Sequence, residues 1–471
     1  MTRVLIGTVL LMQGAVLSQP AAAQLTLSGA LHRADQSAFA NRIAAAAGSE
    51  TRARALAPLK GILPSLRVEA GYVRTTDPVG AFGSTLRQRT ITQADFDPRR
   101  LNFPAAIGNY QSGIVVEAPI LNADAWLGRR AALRASDASQ SSETWTRLTI
   151  RVDVIRAYYG AVLSAERATM LRSAVRAAHA HQVQAEAMVR QGMVTKSDAL
   201  LAAVRAGEMD AQLAEADGAA TSARRQLAVL LGGDGVDVPA DMPALAELPT
   251  AERIRAVVSD DTSSSGAQSR ADVDAATHGL DAAKVDALRA RAASLPRINS
   301  FVRYDWNSPD RPYGGDRNWT AGIMASWSPF TGASDIADMR GAAAREGQAR
   351  AGTEAAQANA RLDVEQTRTT LLVALKRLGI AERAVTQSAE AHRIVARKYE
   401  GGLASVAELL DAQTAETGST LAFAQSRYAV IIAAADRRRA VGSDPATLAV
   451  LEAAPTIASG TTGPTSNHEP Q

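Results

Sequence analysis

The chain has 471 residues, and its 51 basic and 48 acidic side chains leave a formal net charge of +3. That near balance, with no Lys/Arg block or basic–aromatic interleaving, argues against a nucleic-acid partner. Cysteine is absent, which excludes disulfides, thiolate metal sites, cysteine nucleophiles and a lipid on an N-terminal cysteine. Aromatics are only 4% of residues, a composition suited to long, closely packed helices rather than a broad aromatic core.

The N-terminus has the pattern of a secretory signal. Arg3 precedes an apolar run from Val4 to Val16, and Ala21-Ala22-Ala23 follows. A positive start, a short apolar stretch and a small-residue end predict cleavage, so residues 1–23 are assigned as signal peptide. No other apolar run reaches the roughly 18 residues of a transmembrane helix. Any membrane contact must come through strands or a surface. Residues 24–62 form a short helical entry to the first strand pair.

Two strand pairs are predicted, at 63–119 and 295–329. Each opens on a Leu-Pro step, Leu63-Pro64 and Leu295-Pro296. In the first, Leu66, Val68, Ala70 and Tyr72 alternate with Arg67, Glu69 and Gly71, and Ser112, Ile114, Val116 and Ala118 with Gln111, Gly113 and Glu117. In the second, Ile298, Ser300, Val302, Tyr304 and Trp306 oppose Asn299, Arg303 and Asp305. Trp319, Ala321, Ile323, Ala325 and Trp327 oppose Thr320, Gly322 and Ser326. Period two with one polar face is a strand signature. Trp319 and Trp327 are eight residues apart, or about 26 Å of strand at roughly 3.3 Å each. The apolar band of an outer-membrane barrel is about 25 Å tall, with aromatic girdles at its rims. Tyr72, Tyr304, Trp306, Trp319 and Trp327 are therefore candidate membrane-interface aromatics. The turn-rich stretches between the paired strands, Arg74–Asn109 and Asn307–Asn318, are expected to be surface loops.

Each strand pair leads into a helical hairpin, predicted at 120–232 and 330–442. The long arms run from about Ala123 to Gln191 and from about Ala333 to Glu400, without an internal proline. At 1.5 Å per residue each spans roughly 100 Å. Leu148, Val152, Ile155, Tyr159 and Val162 step by four and three, as do Leu371, Leu375 and Leu378, giving coiled-coil-like seams. The return arms run from about Thr195 to Leu231 and Ala404 to Val441. They are shorter, so something else must cover the upper part of each long arm. Residues 233–269 form a Gly-, Pro- and Ser-rich linker with room for short elements, 270–294 a short helix, and 443–471 a tail expected to be disordered.

The hairpin tips repeat. Gln191-Gly192-Met193-Val194-Thr195 returns 210 positions later as Gly401-Gly402-Leu403-Ala404-Ser405. Two copies are too few for a solenoid, so the pattern indicates a duplicated half-molecule. Gly192 and Gly402, helped by Gly401, are expected as helix C-caps. Met193, Val194, Leu403 and Val406 then make small, apolar, exposed tips suited to docking.

Four strands cannot close a barrel in lipid, because open edges leave backbone groups unpaired. Two copies would supply eight strands and three would supply twelve. Counting alone does not choose between them.

The order of signal peptide, strand pair, long helix, tip and return helix, given twice, resembles the TolC family of outer-membrane efflux and secretion channels. The resemblance covers nearly the whole mature chain except the long first loop, the linker and the tail. It implies an α+β membrane protein whose protomer carries four transmembrane β-strands and long coiled-coil-like α-hairpins. It also implies completion as a trimeric β-barrel and α-barrel. The expected partners are two further copies of the chain, a periplasmic adaptor (membrane fusion) protein, an inner-membrane pump or ABC secretion transporter, and outer-membrane lipid. No cofactor is implied. The location implied is the cell outer membrane with a long periplasmic portion.

Carried over by position, Glu408 and Asp411 resemble the family's acidic ring at the pore constriction. Three-fold symmetry would gather six carboxylates there, concentrating cations. Asp198 and Tyr399 resemble its tip-closure contacts, a carboxylate and a phenol in hydrogen-bond reach. The family's arginine two positions after the second tip glycine is here Ala404, so part of that lock is missing. The repeated turns, including Gly192, Met193, Val194, Gly401, Gly402 and Leu403, are the expected adaptor-docking tips.

Catalysis and metal binding find no support in the sequence. His179 and His181 do not share a helix face, the other histidines are scattered, and no phosphate loop or nucleophile elbow appears. The competing reading is a periplasmic coiled-coil adaptor or structural protein with a soluble sheet. Detergent-dependent extraction discriminates the two.

Overall fold

The computed structural model describes residues 25–234, 247–263 and 270–452. The expected signal peptide lies outside these residues. The described residues open with α1 (Leu27–Ser37) and α2 (Phe39–Arg54), followed by a short 3-10 turn and β1 (Ser65–Thr75). An excursion carries α3 (Pro78–Arg87) and α4 (Pro98–Asn102) before β2 (Ile107–Leu121). Then come α5 (Ala123–Arg190), α6 (Lys196–Leu230), α7 (Ala251–Ser263) and α8 (Ala271–Ala292). The second half adds β3 (Arg297–Ser308), β4 (Asp316–Ser326), α9 (Ser334–Glu400) and α10 (Val406–Ala440).

The strands form one antiparallel sheet in the order β1-β2-β3-β4, so the two sequence-distant hairpins join through β2 and β3. Cross-strand partners share a face, and the register sorts the residues. Val68 pairs with Ile114, Ile114 with Tyr304, and Tyr304 with Trp319. All four belong to the apolar alternation. On the opposite face, Glu69 pairs with Gly113 and Gly113 with Asp305. Arg303 there reaches Glu69 at 3.3 Å and Asp305 at 2.9 Å. One face is thus apolar apart from Arg74 and Arg317 at its loop end, and the other carries charge paired within the sheet.

The long arms have 68 and 67 residues. Their main core joins α1, α5, α7, α9 and α10. Val152, Ile155, Tyr159 and Val162 of one seam and Leu371 and Leu378 of the other are buried within it. The covering element for the upper long arms is α8, which packs against both α5 and α9, with α1 and α2 also lying on α5.

Several sequence expectations are corrected. The first loop is a folded excursion whose Gln88 side chain bonds Gly108 O and Asn109 Oδ1, each at 2.9 Å. The linker does carry a short element, as its reading allowed: α7 is anchored because Ile254 and Val258 are wholly buried. The expected disordered tail begins too early at 443. Pro445–Leu451 is a 3-10 helix with Leu448 fully buried. Glu452 then accepts the backbone N–H of Leu27 at 2.6 Å and the Tyr158 hydroxyl at 2.5 Å. Its short apolar spacing hides among polar neighbours, and the partners that fix it lie hundreds of positions away.

Candidate functional site

The two tips are built alike. At the end of α5, Gly192 takes φ +70°, and at the end of α9 Gly402 takes φ +72°, the left-handed region that glycine adopts without cost. Met193 N–H then bonds Met188 O at 2.9 Å and Gly192 N–H bonds Val189 O at 3.0 Å. The second tip repeats this with Leu403 to Lys398 at 2.8 Å and Gly402 to Tyr399 at 3.0 Å. Both are Schellman closures. Gly401 sits at φ −85°, which any residue adopts, so the turn draws on Gly402 rather than Gly401.

Three residues after each left-handed glycine a capping box starts the return helix. Thr195 N–H and Oγ1–H donate to the Asp198 carboxylate at 2.9 and 2.8 Å. Ser405 N–H donates to Glu408 at 2.7 Å, and Ser405 Oγ is 3.1 Å from the same oxygen. The repeated motif is therefore a stop-and-restart signal. These bonds hold the Glu408 carboxyl below its ordinary value of 4.5, the backbone N–H of Ser405 contributing most. Asp411 is exposed one turn further along and has no hydrogen bond or ion pair among the described residues.

The expected hydrogen bond between Asp198 and Tyr399 is absent. Asp198 is occupied by its own cap, and the Tyr399 hydroxyl lies 3.3 Å from Met188 Sδ. Burial raises the Tyr399 phenol above 10.0, with the Asp198 charge adding to the shift. The ring instead packs with Ala185 of α5, Ala202 of α6 and Val406, Leu409 and Leu410 of α10. Tyr399 thus joins all four tip helices through apolar contact. Ala404 packs against the same cluster. Beyond it, Met193 and Leu403 are 65% and 82% exposed and Val194 is half-buried, whereas Val406, expected at the exposed tip, is buried because it packs within this cluster.

On the sheet, the apolar face is open to its surroundings: Leu66, Val68, Tyr72, Val302, Trp319 and Ile323 are all at least half exposed. Tyr72, Tyr304, Trp306 and Trp319 gather at the end away from the long helices. Tyr110 joins them, its ring 4.7 Å from that of Tyr72. The sequence reading did not single out Tyr110, although its alternation with Ser112 was the available signal. Trp327 lies just beyond β4, which ends at Ser326, rather than within the strand. Its indole N–H donates to Ser294 O at 3.1 Å. Trp126 and Phe330, which also escaped the sequence reading, stand near the same helix-side end and are 62% and 80% exposed.

Among the described residues, no cluster of three or more His, Asp or Glu could hold a metal, and no helix is long and apolar enough to cross a membrane. The class defined is a protomer with a one-face-apolar antiparallel sheet carried on two long helical hairpins. The chain belongs to the outer membrane efflux protein family, whose sequence profile matches residues 30–233 and 263–443. Among curated proteins, none matches the sequence significantly.

Solved structures share the fold. A membrane protein from Pseudomonas aeruginosa matches with a TM-score of 0.74 at 21% identity, over 88% of this chain and 92% of that one. The Campylobacter jejuni CmeC outer membrane channel matches with 0.73 at 17% identity, over 88% and 85%. The open state of the Neisseria gonorrhoeae MtrE outer membrane channel matches with 0.70 at 19% identity, over 90% of each chain.

Proposed function

We propose that three copies of this chain close a twelve-stranded barrel in the outer membrane above a twelve-helix periplasmic tunnel. The duct passively conducts small molecules or proteins. A periplasmic adaptor and an inner-membrane pump or ABC secretion transporter deliver them.

The observation that carries this reading is the sheet. It has two unpaired edges, β1 and β4, and one exposed apolar face with aromatics at its ends. Unpaired edges are not tolerated in lipid. Because the four strands alternate in direction, β4 of one copy lies antiparallel to β1 of the next, so closure continues the same ladder. The polar face, with Glu69, Arg303 and Asp305, then lines the lumen. The choice of three copies over two rests on kinship with the TolC family.

At the far end, Glu408 and Asp411 of three copies form the acidic constriction, and the Met193 and Leu403 tips receive the adaptor. Tip opening separates the cluster around Tyr399, with the partner biasing packed against splayed helices. Asp198 serves this gate by starting α6.

The test is extraction and conductance. The protein should require detergent, migrate on gels in a heat-modifiable form, and give cation-preferring steps in planar bilayers. A soluble monomer without conductance would support the periplasmic adaptor reading instead.

A further inference from the structure

The outward apolar face carries charge at two positions only. Its residues run Leu66, Val68, Ala70, Tyr72, Arg74 on β1 and Arg317, Trp319, Ala321, Ile323, Ala325 on β4, with no titratable charge at the matching positions of β2 and β3. Arg74 pairs with Gly108, one pleat beyond the Tyr72–Tyr110 pair. Arg317 pairs with Trp306, one pleat beyond the Tyr304–Trp319 pair. Both arginines are exposed. Both lie at the loop end, while the helix end of the same face, at Leu66, Ile298 and Ala325, carries no charge.

These two differ from the arginines on the polar face. Arg67 reaches Glu69 at 3.6 Å, and Arg303 is held between Glu69 and Asp305. The guanidiniums of Arg74 and Arg317 have no carboxylate or hydrogen-bond partner among the described residues. They also occupy the two edge strands, so barrel closure places the β1 edge of one copy beside the β4 edge of its neighbour. Each seam then presents one Arg74 and one Arg317 from different copies, outside an aromatic girdle, at headgroup height.

We propose that each seam between copies binds the phosphate of a phosphorylated glycolipid of the outer leaflet through Arg74 of one copy and Arg317 of the next. This inference rests on the barrel reading above. Guanidinium matches phosphate through paired N–H donors, and the absence of charge at the opposite rim restricts the site to one leaflet. The aromatics beneath supply the apolar bed for the sugar and upper acyl chains.

The experiment uses the full-length protein purified in detergent, with bisphosphorylated lipid A as probe and bound copies counted by native mass spectrometry. Wild type should retain lipid A in preference to its dephosphorylated form. Arg74→Gln and Arg317→Gln should each weaken retention roughly fivefold, the scale of one basic residue at an anionic membrane surface. Arg311→Gln, in the β3–β4 turn, should change little. Unchanged retention in the Arg74→Gln/Arg317→Gln double variant overturns the proposal, as does equal retention of the dephosphorylated lipid. Full displacement by inorganic phosphate overturns it too, since the site would then take free anion. Heat-modifiable migration of the same samples separates the failures. If it persists while retention is unaffected, the barrel stands and the lipid site falls. If wild type never shows it, both fall.

Discussion

The Glu408 carboxylate accepts the backbone N–H of Ser405 at 2.7 Å, so the acidic group at the proposed constriction is also half of the capping box that starts α10. Asp411, one turn on, has no such duty. The two carboxylates therefore separate by experiment. Glu408→Ala should speed hydrogen exchange of the first-turn amides of α10 and reduce cation preference. Glu408→Gln, which can still reach back to the Ser405 N–H, should reduce preference while leaving exchange nearly unchanged. Asp411→Asn should act on preference alone. Ser405→Ala should cost about 1 kcal/mol of local tip stability with selectivity retained. Equal selectivity across all four variants would remove the ring assignment.

Cap and charge share a pH dependence. The Glu408 carboxyl is held below 4.5 in the folded chain. A depressed carboxylate contributes stability above its unfolded value and loses it as pH falls through the folded value. The cap's share of tip order should thus persist down to pH 4.5 and be lost only below it, read as the difference in α10 first-turn exchange between wild type and Glu408→Gln.

Tyr399→Phe should leave conductance unchanged. The hydroxyl gives up only a contact to a thioether, a weak acceptor, worth less than about 1 kcal/mol. Tyr399→Ala removes a ring that is only 6% exposed and lies in the cluster shared by all four tip helices. It should cost about 3 kcal/mol and raise single-channel conductance. A conductance rise in Tyr399→Phe equal to that of Tyr399→Ala would restore the hydroxyl as the latch.

A second titration sits higher in the hairpins. Burial pushes the His181 imidazole below 6.5, and the charge of His392 on α9 pushes it further. His392 Nδ1 lies 2.5 Å from Glu416 of α10, and His179 Nε2 lies 3.0 Å from Asp210 of α6. A histidine held below its ordinary value supports the fold above that value, and the support is lost as pH falls through the folded one. Limited proteolysis of the tips should therefore accelerate as pH drops below 6.5. The acceleration should be smaller in His181→Gln, whose side chain does not titrate. An identical pH profile in that variant would contradict the assignment.

Much of this architecture was legible in the sequence because its signals are local and periodic. The Leu-Pro entries, the alternation through Val68 and Ile323, and the four-three steps from Val152 to Val162 each fix an element by themselves. The repeat marked both turns, and its chemistry is local as well: a left-handed glycine followed by a capping box. Partners set by tertiary contact were not legible. Tyr399 has the right position for a carboxylate contact, yet Thr195 holds Asp198 first, so the phenol turns to Met188. Leu448 lies in a Pro- and Thr-containing tail, and only its burial against the main core reveals it. The outward parity of Arg74 and Arg317 is present in the sequence, but their standing at opposite sheet edges required the order β1-β2-β3-β4.

The central claim is that the edges of this sheet are completed by other copies, and a disulfide ladder tests it most directly. The chain has no cysteine, so introduced pairs are unambiguous. Val68→Cys on β1 is combined in turn with Ala321→Cys, Ile323→Cys or Ala325→Cys on β4, and the protein is oxidised in native membranes. Within one copy, three strand spacings of about 4.8 Å separate the edges, too far for a disulfide, which needs Cα atoms within about 7 Å. The account predicts that at least one pair gives covalent dimers and trimers, and that the ladder stops at three. Monomer alone with every pair, or a ladder running on past three, would contradict it.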